Sequence, residues 1–62
     1  MTPSKLKVYL IQLGIGEGQA ESIMSTSSSY QDVIDQVRDY LHLIDAPVGT
    51  KIIKLKNFIK NG

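Results

Sequence analysis

The residues able to do chemistry in this chain are one histidine, a run of serines, three spaced aspartates and three alternating glycines. Nucleophilic catalysis needs a nucleophile, a base and an orienting group converging in a pocket. His42 falls where a helix should end, and there its cationic form would favour the negative terminus. Ser25 to Ser29 fit loop and capping roles. No catalytic set is expected, and so no enzyme. Asp32, Asp35 and Asp39 recur along one side of a helix, whereas a calcium site draws its oxygens together from a loop. They read as a solvated or partner-contacting acidic face, with no metal. Gly14, Gly16 and Gly18 superficially suggest a phosphate-cradling loop. The dinucleotide fingerprint needs a preceding strand and a third glycine one residue later. Here a helix precedes, and no cofactor is expected.

Those residues must be positioned by helices. Thr2 can cap a first helix with Pro3 at its first position. Leu6, Tyr9, Leu10 and Leu13 then recur at i, i+3, i+4 and i+7, a single apolar stripe that Val8 does not share. Gly14 stops it, as a residue that takes left-handed backbone readily. A short second helix spans Glu17 to Met24, with Ala20, Ile23 and Met24 inward and Glu17 at its positive end. Gly18 weakens that helix by up to about 1 kcal/mol relative to alanine. The polar run Ser25 to Ser29 is a loop. Ser29, with Asp32 three residues on, makes a variant capping box for a third helix. Tyr30, Val33, Ile34, Val37, Tyr40 and Leu41 form its apolar face. Ala46 to Thr50, with Pro47 and Gly49, breaks the pattern. From Thr50 to Lys60 two patterns compete. Ile52, Leu55, Phe58 and Ile59 give a helical stripe capped by Thr50, while Ile53 to Lys56 alternates like a strand. The absence of any partner strand favours helix.

The expected fold is therefore all-α: one domain over residues 1–62, a compact three-helix bundle with a short basic amphipathic helix at about 50–60. A chain of 62 residues buries only about 60% of its unfolded surface, so its core is thin. With no cysteine, neither disulfides nor a thiolate metal site can staple it. Efficient packing or a partner must do so. Off-stripe Val8 and Ile53 make self-association a reasonable expectation. No apolar run approaches the roughly 20 residues of a membrane span, and the first residues lack the apolar core of a secretory signal. The chain is expected to be a complete soluble protein of the cytoplasm. Its net charge of +1 hides a segregation. Lys5 and Lys7 stand first and Lys51, Lys54, Lys56 and Lys60 last. All six acids lie between, against Arg38 alone. The domain is not basic enough overall for a bulk argument for nucleic acid.

Two resemblances attach to the glycine turn. Leu13-Gly14-Ile15 with Ala20, followed by Ile23 and Met24, a polar loop and an amphipathic third helix, resembles UBA-like domains over about residues 4–41. That resemblance implies a non-catalytic protein-binding module. Its patch would be the first loop and the end of helix three: Leu13, Gly14, Ile15, Tyr40 and Leu41. The acidic face of Asp32, Asp35 and Asp39 would steer a basic partner. Gly14-Ile15-Gly16 with Ala20 and Ile23 also resembles the helix-hairpin-helix motif of DNA-binding proteins. That resemblance implies phosphate contact at Gly14, Gly16 and Gly18, joined by Lys51, Lys54, Lys56 and Lys60. Glu17, beside the presumed phosphate, would repel it. Protein binding is the favoured expectation and DNA binding the alternative.

Overall fold

The computed structural model describes residues 3–61. The expected Thr2 cap lies outside them. Four helices follow one another: α1 (Pro3–Gln12), α2 (Glu17–Thr26), α3 (Tyr30–Leu43) and α4 (Gly49–Asn61). Each packs on its neighbours in chain order, and α4 closes back onto α1. The interior of this ring holds Leu6 and Leu10 from α1, Ala20 and Ile23 from α2, Val33, Ile34, Val37 and Leu41 from α3, and Ile52 and Leu55 from α4. Each fully buried leucine or isoleucine contributes about 1.5–3 kcal/mol relative to exposure. Tyr30, expected inward, is 50% exposed.

The final segment is helix, and burial gives the reason. Ile52 and Leu55 are 5% and 0% exposed, while Ile53, the residue that produced the strand-like alternation, is 61% exposed. A strand would have put Ile53 and Leu55 on one face; a helix separates them. The helix begins at Gly49 rather than after Thr50, since the Ile52 N–H already donates to the Val48 carbonyl (2.9 Å). α4 is also a full member of the core. Its Phe58 stacks on Tyr9 of α1, centroids 4.1 Å apart and planes 3° from parallel.

The second helix runs two residues beyond its expected end at Met24. Ser25 and Thr26 were expected in the loop because their hydroxyls compete for backbone groups. Here those hydroxyls donate to the Ser22 carbonyl one turn back (3.1 and 2.8 Å), which lets the helix continue. The Gln36 amide of α3 then ties the end of α2 down. It accepts from Thr26 Oγ1 (3.1 Å) and donates to Ser27 Oγ (2.9 Å). Ser29 caps α3, accepting from the Asp32 N–H (3.2 Å). The Asp32 carboxylate reaches back one residue further than a capping box, to the Ser28 N–H (3.1 Å) and hydroxyl. Those two donors hold its carboxyl below the usual aspartate value. No helix among the described residues is long and apolar enough to cross a membrane.

Candidate interaction surfaces

The glycine turn is built by hydrogen bonds. The Ile15 N–H donates to the Leu10 carbonyl (3.1 Å) and the Gly14 N–H to the Ile11 carbonyl (3.0 Å). This is the paired closure of a Schellman motif, with Gly14 as its left-handed residue at φ +101°. Ile15 and Leu10, the positions at which such a turn usually places an apolar contact, are both buried in the core. From α4, the Lys51 ammonium donates to the Leu13 carbonyl, setting a cation at the negative end of α1. A Cβ on Gly14 would lie 3.2 Å from that ammonium. Gly16 is the N-cap of α2 and Gly18 lies in its first turn, both exposed and with open space where a Cβ would go.

The structure separates the residues nominated for protein contact. Leu13, Ile15 and Leu41 are 7%, 1% and 1% exposed, so their side chains hold the core together rather than face a partner. Gly14 and Asp39 are exposed and Tyr40 half-buried. A groove between α2 and α3 brings Gln19, Gln36, Asp39, Tyr40 and Leu43 together. Leu43 lies off the periodic apolar stripe of α3, which ends at Leu41. At 82% it is the most exposed of the large apolar side chains among the described residues. Its only sequence signal is an apolar residue three beyond Tyr40 and off the stripe.

The three aspartates do different things. Asp32 is engaged by Ser28. Asp35 accepts from Gln31 Nε2 (3.1 Å) and lies 3.6 Å from Arg38. Asp39 lines the groove. Among the described residues, no cluster of His, Cys, Asp or Glu could hold a metal ion. His42 is exposed in the last turn of α3.

The lysines of α4 divide between its flanks. Lys51 is tied to α1, and Lys54 lines a groove with Tyr9 and Phe58. Lys56 and Lys60, one turn apart, lie exposed further round the helix. Lys7 of α1 pairs with Glu21 of α2 at 3.8 Å, an exposed contact worth under about 1 kcal/mol. Compared with family models, curated proteins and solved structures, the chain matches none.

Proposed function

We propose that this chain is a non-catalytic protein-binding module, a small regulatory or adaptor protein of the cytoplasm. In this reading residues 4–41 are a UBA-like unit, and the basic helix at 50–60 packs across it. The binding site is the α2/α3 groove, with Leu43 as its apolar anchor, Tyr40 beside it and Gln19 and Gln36 as adaptable polar contacts. Asp39 and Asp35 draw in a basic partner. The supporting observation is that Leu43 projects 82% exposed at a groove that also holds a tyrosine. Tyrosine is among the residues that most often carry an interface's free energy, and the exposed leucine beside it adds apolar area for a partner to cover. Buried Leu13, Ile15 and Leu41 serve the site indirectly, by fixing the backbone that presents Tyr40 and Leu43.

The test is capture of partners from source-cell extract by the immobilised wild type, Leu43→Asp and Val8→Asp. Both changes fall at exposed positions, so both variants should fold. Binding that Leu43→Asp abolishes and Val8→Asp retains supports the groove. Equal capture by folded Leu43→Asp removes it from the interface.

A further inference from the structure

The ring of helices sorts charge in space as well as in sequence. α1 and α4 pack side by side and carry all six lysines with no carboxylate, whereas α2 and α3 carry five carboxylates against Arg38. The two ends of the chain thus form one basic half. Because each helix packs on its neighbours in chain order and α4 closes on α1, the α2/α3 seam and the α4/α1 seam lie on opposite sides of the ring. The acidic seam carries a knob, Leu43, 82% exposed at a groove that also holds Asp39. The basic seam carries a hollow. Val8, 53% exposed, walls a groove over half-buried Tyr9 and Phe58, and Lys54 lines the adjoining groove beside the same two residues. Among the described residues, neither Asp39 nor Lys54 has an ion-pair partner of its own.

The two seams complement each other. One offers an exposed apolar side chain with an anion beside it, the other an apolar hollow with a cation beside it. Two copies meeting through the same seam would set acid against acid or lysine against lysine, and like charges across an interface disfavour it. Turned end to end, knob meets hollow and Asp39 meets Lys54. An unrelated basic partner would use the acidic seam and leave the basic one bare; a second copy uses both. A net charge of +1 leaves little long-range repulsion to hold copies apart. We propose that this chain associates with itself head to tail. Leu43 of one copy seats against Val8 in the α4/α1 groove of the next, and Asp39 pairs with Lys54 there. Such a contact leaves an unused seam at each end of a dimer, so it continues into a ring or an open filament. Head-to-tail contact presupposes that the α2/α3 groove binds protein, and it makes the basic partner another copy of the chain.

The experiment is sedimentation equilibrium of the full chain up to about 1 mM. One leucine anchor and one exposed ion pair place the contact at the weak end of protein association. A Kd of roughly 100 μM is expected in about 50 mM salt, weakening about threefold at about 200 mM as the ion pair is screened. Leu43→Asp and Val8→Asp, each checked for folding by circular dichroism, should each weaken it at least about tenfold. Should either fail to fold, Leu43→Gln or Val8→Gln takes its place. Lys54→Glu should weaken it at least about fivefold, since it sets acid against Asp39. The deciding arm is an equimolar mixture of Leu43→Asp and Val8→Asp. One supplies an intact basic seam and the other an intact acidic seam, so the mixture should regain a one-to-one complex at the wild-type Kd and grow no further. A mixture that stays monomeric overturns the proposal. Association lost in Leu43→Asp but kept in folded Val8→Asp and Lys54→Glu overturns it in favour of a two-fold contact through the α2/α3 seam. Association that Leu43→Asp keeps places the contact elsewhere and overturns it too. A wild type that remains monomeric at about 1 mM in low salt also overturns it. Capture of a different protein that Leu43→Asp abolishes would still uphold the α2/α3 site in that case, so the two readings fail separately.

Discussion

The turn after α1 and the turn after α3 share one backbone design made from different residues. In the first, Ile15 and Gly14 donate to the Leu10 and Ile11 carbonyls. In the second, Ala46 and Asp45 donate to Leu41 (2.9 Å) and His42 (3.2 Å) in the same pattern. The left-handed residue is Gly14 at φ +101° in one and Asp45 at φ +58° in the other. An aspartate is tolerated near +58°, the small left-handed well, but +101° lies beyond it and suits glycine alone. The Gly14 turn is also covered by Lys51 from α4, while Asp45 is exposed. Gly14 therefore has a structural cause, in φ and in the close approach of Lys51, that holds whatever the turn binds. The Gly-Ile-Gly spelling is informative about how α1 stops before it is informative about a ligand.

The comparison can be broken most forcefully at Gly14. Gly14→Val places a branched side chain where the backbone disfavours any Cβ and where Lys51 must move aside. A loss of about 2 kcal/mol or more is expected, which in a domain of this size lowers Tm by about 10 °C. A loss under about 0.5 kcal/mol in urea unfolding would show that the turn relaxes freely. The mirror change is Asp45→Gly. It removes left-handed strain of about 1–2 kcal/mol, partly offset by the greater freedom of glycine in the unfolded chain. A gain of about 0.5–1 kcal/mol is expected, with Tm several degrees higher. Asp45→Asn separates backbone from charge. It keeps tolerance for the left-handed well and removes an anion from the negative end of α3, so any gain it gives is electrostatic.

The two turns also differ in how far the sequence announced them. A glycine one residue past an apolar stripe is a recognised stop, so the Gly14 turn was legible. An aspartate in the same role looks like any loop aspartate, and only the following Pro47 and Gly49 marked a break. Apolar spacing identified most of the core, because a 3.6-residue period reports which face is buried. The same spacing could not say which apolar residues stay outside. Leu13 and Leu41 lie on the apolar stripes and are interior, as is Ile15, although the family resemblance places all three in a binding patch, while Leu43, off the stripe, is exposed. The closure of α4 on α1 depends on contacts distant in sequence, Tyr9 with Phe58 and Lys51 with Leu13. Local periodicity carries no trace of them. The segregation of charge was visible along the chain, but its gathering into one basic half needed that closure.

A smaller change isolates the cover on the first turn. Lys51→Met keeps the apolar stem and removes the ammonium, so the Leu13 carbonyl loses its donor and α1 its terminal cation. A loss of about 0.5–1.5 kcal/mol is expected. Combined with Gly14→Ala it should cost less than the two single changes added together, because without the ammonium the new Cβ has nothing to displace. Strict additivity would mean that Lys51 and Gly14 do not sense each other, and the distinction drawn between the covered and uncovered turns would fail.

The mildest test compares the start of α3 with its end. Ser28 donates twice to Asp32 and lowers its pKa in the folded chain, so the unfolded chain binds that proton more readily. The contribution is fully present above the ordinary value of 3.8 and fades as pH falls through the lower folded value. Because Asp32 is at the surface, the effect on unfolding is small, and the direct observable is its carboxyl titration by NMR. Ser28→Ala removes the hydroxyl and keeps the N–H, so the Asp32 titration should move back up toward 3.8 without reaching it. Ser29→Ala should leave most of the depression in place, since Ser29 bonds the Asp32 N–H and not its carboxylate. If Ser29→Ala restored the full value instead, the helix cap and not Ser28 would be setting the charge at this end of α3.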